Sequence, residues 1–433
     1  MSEMDFRIVI LAAAFVGVVF AGIHDKYAGH TVHGIKIRDD SDLQLVRDLE
    51  VSLDLDIWRY GWPAQRDALI MVTPDNRVRF FEALRKKDIE HYLHLGDVVK
   101  SLEEHDAEVS EWKSRRETRM IFQTYPRYEE VNAYLETIAS QYPDLVTLVN
   151  AGKSFEGRDV NYLKISTTNF MDTTKPIYFM DAMIHAREWV TTPPTLYSIF
   201  RLVENLRSED RDLLEDIDWI IMPLVNPDGY EYTFTGDRLW RKTRSVDLNV
   251  HETCVGVDGN RNFNVSFNTV GVSTNPCALT WPGPTAFSEP ETGYVRDVLH
   301  EYLDRIEIYM DIHSFGNYVL FAYGDGTLPS NVAQVHHVGA AMGAKIDTLK
   351  IPKAGYYLVG SSSRVLYGSS GSAQDYGQSV GIPFSYTLEL PGYEYDFRVP
   401  PSYIDQINEE TWQGIAVTAR LARIYYRSRV REN

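Results

Sequence analysis

From residue 125 to the C-terminus, compact apolar runs alternate with helix-period stretches, and this alternation restricts the fold more than any other feature. Residues 177–182, 219–225, 306–312 and 384–390 read as buried strands. Residues 131–141, 195–206 and the long 404–425 segment read as helices, and Ser288, Pro290 and Glu291 open another with a capping-box pattern. Apolar strands without polar alternation must be covered on both faces. The pattern therefore predicts an α/β fold with a largely parallel or mixed sheet between helices. In such a sheet, ligands bind beyond the carboxyl ends of the strands.

A different pattern precedes this region. Residues 22–109 alternate short apolar runs with polar helices and read as a small α+β unit. Its strands are 31–37 and 68–72, and its amphipathic helices are 41–54 and 78–87. Residues 111–120, EWKSRRETRM, offer Lys113, Arg115, Arg116 and Arg119 to a trypsin-like protease. Most charge runs are solvated helix faces, but the position between two units predicts a processing linker, cut after Arg116 or Arg119. At the start, residues 8–22 form a 15-residue uncharged apolar run. That is short for a membrane span and right for the core of a secretory signal. Val19 and Ala21 fit the small-residue rule for cleavage after Ala21. The preceding MSEMDFR departs from the rule, since Glu3 and Asp5 outweigh Arg7. The expected organisation is a signal at 1–21, a prosegment at 22–109, a basic linker at 110–119 and a main domain at 120–433. No membrane partner is expected after signal removal.

The 433 residues carry a formal charge of −18 and no evident Lys/Arg-rich face, which argues against nucleic acid as a partner. Only two cysteines occur, Cys254 and Cys277. In an oxidising compartment they could form one disulfide, stabilising by roughly 3 kcal/mol, or remain two buried thiols.

Two strand ends carry metal-binding chemistry. Residues 177–182 lead into His185-Ala186-Arg187-Glu188, and 306–312 lead into His313. Two histidines and one glutamate are a known catalytic zinc set that leaves a position open. His185, Glu188 and His313 are thus candidate ligands. The spacing alone is weak, because His105-Asp106-Ala107-Glu108 repeats it without a preceding strand.

Further motifs, in order, make a specific resemblance. His185-Ala186-Arg187-Glu188-Trp189 and His313-Ser314 resemble the zinc motifs of the A/B-type zinc metallocarboxypeptidases. So do the stretches 238–245 (RLWRKTRS) and 254–262 (CVGVDGNRN), Tyr367 with Ser370-Gly371-Ser372, and Thr387-Leu388-Glu389-Leu390. The resemblance runs from about residue 125 to the C-terminus. It implies a mixed eight-stranded twisted sheet with helices on both faces, preceded by a ferredoxin-like prodomain. It also implies one Zn2+ per chain, held by His185, Glu188 and His313, and removal of C-terminal residues from peptides and proteins. By the same resemblance Glu389 is the general base and Arg241 stabilises the oxyanion. Asn260 and Arg261 grip the substrate's terminal carboxylate, and a guanidinium suits that bidentate task. Tyr367 closes over the substrate, Arg187 and Arg238 make secondary contacts, and Asp258 orients His185. Cys254 and Cys277 fall where the family's shared disulfide lies. An activating trypsin-like protease is the implied partner, and a monomer the simple expectation.

Three departures bear on specificity. Gln374 stands at the floor of the side-chain pocket, where an apolar residue would favour large hydrophobic C-termini and Asp would favour Lys or Arg. Gly324, Ser362, Leu366, Ser369 and Thr387 line the same pocket and none is charged, which predicts an uncharged preference. Phe315 replaces a tyrosine, and Pro391-Gly392 replaces a charged pair. The competing readings are a catalytically silent peptide-binding relative, another zinc hydrolase such as a deacylase, and a chain whose prosegment is never removed. The presence of every catalytic position weighs against the first, and the Asn260-Arg261 clamp against the second.

Overall fold

The computed structural model describes residues 22–115 and 120–432. The signal reading and both proposed cleavage sites, Arg116 and Arg119, lie outside them. The N-terminal unit runs β1 (Thr31–Ile35), α1 (Asp40–Leu53), β2 (Asp56–Arg59), β3 (Ala68–Val72), α2 (Arg77–Lys86), β4 (His91–Leu95) and α3 (Val98–Ser114). Its antiparallel sheet has the order β2-β3-β1-β4, the ferredoxin-like arrangement of a β-α-β-β-α-β chain. Asp39 caps α1 by accepting from the Ser41 and Asp42 amides, and Asp97 caps α3 through the Lys100 amide. Every residue of β3 is buried. Side chains alternate across a strand, so Ala68, Ile70 and Val72 pack under the helices while Leu69 and Met71 join a second cluster. That cluster includes Leu239, Phe315 and Phe397 from the rest of the chain. A sheet apolar on both faces needs a second cover, and here the larger unit supplies it. The first residues of the expected linker, Ser110 to Ser114, continue helix α3.

The larger unit comprises α4 (Tyr128–Gln141), β5 (Val146–Lys153), β6 (Asp159–Ile165), β7 (Ile177–Ala182), α5 (Thr192–Val203), α6 (Arg211–Glu215) and β8 (Asp218–Met222). There follow α7 (Pro227–Thr235), α8 (Pro290–Glu301), β9 (Ile306–Ser314), β10 (Tyr318–Phe321), α9 (Val332–Asp347) and β11 (Leu358–Ser361). The chain ends with α10 (Ser362–Val365), α11 (Ala373–Val380), β12 (Phe384–Leu390) and α12 (Ile404–Glu432). Its eight strands form one mixed sheet in the order β11-β10-β12-β9-β7-β8-β6-β5. The middle four strands, β12-β9-β7-β8, are mutually parallel. One face packs on α4, α5, α9 and α12 and the other on α8 and α11, each with its own apolar core. The sandwiched strands are fully buried in β7, β8 and β9, which explains their uninterrupted apolar sequences.

One local expectation is corrected. The capping box at Ser288 does not form, because Glu289 is the N-cap and makes no side-chain cap bond. The Ser288 hydroxyl instead donates to Glu289 Oε1 and accepts from Asn262 Nδ2.

Candidate active site

The parallel strands β7, β9 and β12 carry the chemistry at their carboxyl ends. Glu389 stands beside His313 in register across β12 and β9. Beyond β7 the chain turns sharply at Met183, whose φ of 64° lies in the left-handed region. Such a conformation costs of order 1–3 kcal/mol and persists where surroundings enforce it. Here Val225 N bonds Ala182 O and Asn226 N bonds Met183 O, while Asn226 Nδ2 holds the carbonyls of Ile184 and Lys242. The turn delivers His185 and Glu188 to the sheet edge.

Glu188 sits between the two histidines. Its Oε1 lies 2.9 Å from His185 Nδ1 and its Oε2 3.0 Å from His313 Nδ1. The candidate ligand atoms of the trio lie within 4.8 Å of one another, and all three residues are buried. Two imidazoles and a carboxylate with converging atoms fit the donor set of catalytic zinc. The decoy at His105 does not join them, because that ring is buried against Tyr125 and Trp189 and meets the Val399 carbonyl at 3.3 Å. Among the described residues the other potential metal group is His251, Cys254 and Cys277, but its two cysteines are joined in a disulfide.

Each histidine is held from behind by a carboxylate. Asp258 Oδ1 lies 2.9 Å from His185 Nε2, and Asp311 Oδ2 lies 2.7 Å from His313 Nε2. Asp311 was not among the expected residues. Its signal was its position two before His313 on a strand, since i and i+2 share a face. Asp181 faces Asp311 in register on β7. Burial and this neighbour push the Asp181 carboxyl well above the usual carboxylate range, and it accepts from the Tyr309 hydroxyl at 2.8 Å.

Around the trio the polar groups converge on one cavity. It is lined by His185, Arg187, Glu188, Arg241, Asn260, Arg261, His313, Tyr367, Gln374 and Glu389. Arg241 is fixed by Asp258 Oδ2 through Nε and Nη2, at 3.2 and 2.9 Å, and its Nη1 reaches 3.8 Å from Glu188. Burial pushes the Glu389 carboxyl up to about 8, against the pull of His313, and its Oε2 has no hydrogen-bond partner. Asn260 and Arg261 occupy a short 3-10 turn capped by Asp258. Arg261 Nη2 donates to the Tyr367 hydroxyl at 2.8 Å, and Asn260 Oδ1 accepts from the Ala373 amide at the start of α11. Gly324, expected in the pocket wall, does not line the cavity, and neither does Arg238. Arg238 is fully buried over the Trp189 ring, with Nη1 on the Arg187 carbonyl and Nη2 on that of Phe397. In this arrangement it braces Arg187 from behind.

The cavity's remaining wall comes from the N-terminal unit: Ile57, Trp58, Arg59 and Tyr60. Asp56 binds Arg187 bidentately, at 2.7 and 3.0 Å. The Tyr60 ring lies 4.0 Å from that of Tyr367, and Trp58 packs edge-on against Phe397. Phe315, where the resemblance leads one to expect tyrosine, also packs edge-on against Phe397.

Residues 131–414 match the zinc carboxypeptidase family, and residues 34–105 match the carboxypeptidase activation peptide. Carboxypeptidase B of Helicoverpa zea is 41% identical over 424 residues, covering 95% of this chain and 98% of that protein. The chain belongs to the zinc carboxypeptidase family. The rat (Rattus norvegicus) carboxypeptidase B is 31% identical over 96% of this chain and 99% of its own. The crystal structure of the carboxypeptidase A from Helicoverpa armigera superposes with a TM-score of 0.88 at 42% identity, covering 92% of this chain and 98% of that one. The protein is a metallocarboxypeptidase with an activation domain, and its family uses one zinc ion per chain.

Within this zinc carboxypeptidase, Asp311 makes a direct prediction. Removing a carboxylate that orients a metal-ligating histidine costs about 10–100-fold in metal affinity. The Asp311→Asn variant is expected to lose zinc to a competing chelator at correspondingly lower chelator concentration, with unchanged circular dichroism. An affinity equal to that of the parent would assign Asp311 to packing alone.

Proposed function

We propose that the chain is the secreted zymogen of a zinc exopeptidase that hydrolyses the C-terminal peptide bond of peptides and proteins, with Glu389 as general base. The observation that carries this reading is one cavity that unites the His185-Glu188-His313 trio, Glu389, Arg241 and the Asn260-Arg261-Tyr367 group. An endopeptidase has no use for a terminal carboxylate clamp. An exopeptidase requires one, within a residue's reach of the reacting bond.

When bound at the trio, zinc supplies Lewis acidity that polarises a carbonyl and lowers the pKa of a water. The protein's own groups do the rest. Arg261 and Asn260 hold the terminal carboxylate, and the Tyr367 hydroxyl, already on Arg261, caps it. Glu389 takes the proton of the attacking water and returns it to the leaving amine. Arg241, kept charged by Asp258, faces the oxygen on which negative charge develops. Ser362, Leu366, Ser369, Ser372 and Thr387, which line the cavity with Gln374, carry no charge, so a C-terminal Lys or Arg would bury a cation against them without a partner. An uncharged preference follows.

The docked N-terminal unit supports the zymogen reading, because Asp56 occupies Arg187 and Tyr60 covers Tyr367. Among the described residues no helix is long and apolar enough to cross a membrane. Secretion rests on the apolar run at residues 8–22, activation on a trypsin-like cut in the basic linker, and a monomeric state on the completeness of the site within one chain. The test is to express the full chain, treat it with trypsin, and follow release from acylated dipeptides with and without 1,10-phenanthroline. Chelator-sensitive release that appears only after trypsin is expected. Absence of release from any substrate, despite confirmed cleavage and one bound zinc, would sink the reading.

A further inference from the structure

The wall of the cavity around Gln374 carries polar atoms that the fold itself does not use. Thr387 lies on β12 two residues before Glu389 and so on the same face. It pairs across the sheet with Leu320 of β10. Ser362 opens α10, and Gln374 lies in the first turn of α11. Ser362, Gln374 and Thr387 are each only 3% exposed, and all three line the cavity. Ser362 Oγ, Gln374 Oε1 and Thr387 Oγ1 have no hydrogen-bond partner in the protein. Buried polar atoms are paired in the great majority of cases, so three orphans on one wall point to a ligand that completes them.

Their chemistry narrows the ligand. Gln374 Oε1 only accepts, and the two hydroxyls donate or accept. The matching group is neutral and carries both N–H donors and a carbonyl acceptor. Of the charged side chains on the cavity, Arg241 is held by Asp258, Arg187 by Asp56, Arg261 by Tyr367 and backbone carbonyls, Arg59 by the Asp67 carbonyl and Glu188 by the two histidines, which leaves Glu389, the proposed base, as the carboxyl with an unpartnered oxygen. Position agrees with this. Asn260, half of the proposed clamp, bonds the Ala373 amide immediately before Gln374. A residue whose carboxylate is held there presents its side chain to this wall.

We propose that the preferred C-terminal residue carries a side-chain carboxamide, glutamine or asparagine, an assignment that rests on the carboxypeptidase reading above. The carboxamide N–H groups donate to Gln374 Oε1 and one hydroxyl, and its carbonyl accepts from the other hydroxyl. An aliphatic side chain of equal length buries all three atoms unpaired, and the wall formed by Ser362, Gln374 and Thr387 offers no carboxylate to a cation and no cation to a carboxylate. Sites built to hydrogen-bond a substrate discriminate strongly against analogues that lack the group.

The experiment uses the trypsin-activated protein and one acyl group on six dipeptides ending in Gln, Asn, Leu, Met, Glu or Lys, with kcat/KM measured for each. Gln or Asn is expected to lead Leu and Met by at least about tenfold. The Gln374→Leu variant is expected to invert that order, and Thr387→Val to narrow it. A lead by Leu, Met, Glu or Lys in the parent protein overturns the carboxamide assignment and leaves the peptidase reading standing. Release from none of the six overturns the peptidase reading and the carboxamide assignment with it.

Discussion

Replacing Glu389 with glutamine is expected to lower kcat by roughly 10²–10⁴-fold, the usual contribution of a positioned acid–base group, while zinc content stays at one per chain. The carboxyl stands beside His313 on the neighbouring strand, yet among the described residues it makes no bond to the trio. Its Oε2 is unpartnered inside the cavity. A glutamate within a buried strand is costly unless paired or used, and among the described residues none bonds the Oε2 of this one. Glutamine preserves the shape and removes the ability to take a proton. The unfolding temperature should therefore hold or rise, because a desolvated carboxyl has been replaced by a neutral group. The measurement is single-turnover release under saturating substrate, with metal content by atomic absorption. A variant that keeps most of its kcat would move the base to another residue. A variant that loses zinc as well would make Glu389 part of the metal's support.

The contrast between Glu389 and Asp311 shows what a sequence of this kind reveals. The strands of the sheet's middle are visible as apolar runs because burial on both faces removes every polar alternation, and β7, β9 and β12 were placed this way. The chain's flanking strands escaped. β5 is half exposed and β10 and β11 span four residues each, so neither hydrophobicity nor length separates them from loops. The His185-Glu188-His313 trio, which the fold brings together, was legible from spacing and context. Asp181 was not, because an acidic residue inside an apolar run carries no mark of the partner it meets on the next strand, and Asp311 was marked only by its place two before His313. Arg238 erred in the other direction: its motif was read as substrate contact, and only the packing shows a side chain enclosed behind Arg187. Contacts between the two units were invisible altogether, since Asp56 and Tyr60 acquire meaning through residues more than a hundred positions away.

Those interunit contacts yield the second large effect. After cleavage of the linker, Asp56→Ala is expected to weaken retention of the activation domain by about 2–5 kcal/mol, a factor of roughly 30 to 4,000. Arg187 is 2% exposed and its guanidinium holds both Asp56 oxygens. Removing the carboxylate leaves that cation desolvated and unpaired in the docked state only. Before cleavage the covalent link keeps the domain at an effective concentration on the order of millimolar, so the intact variant should still be strongly suppressed. The loss should emerge once the linker is cut, as activity that appears at protein concentrations where the cleaved parent remains closed. Docking should also depend on pH. Glu50, bonded to the Tyr60 hydroxyl, is pushed up to about 7 by burial, from an ordinary 4.5. A raised carboxyl favours the docked state fully below its free value and loses that advantage as pH rises through the docked one. Retention should therefore fall by up to about tenfold per pH unit between roughly pH 4.5 and 7, then level off. Glu50→Gln should flatten that slope and leave the Asp56 effect intact. A slope unchanged by Glu50→Gln, or a cleaved Asp56→Ala protein as tightly closed as the parent, would place the inhibitory contact elsewhere on the shared apolar face of Trp58, Phe315 and Phe397.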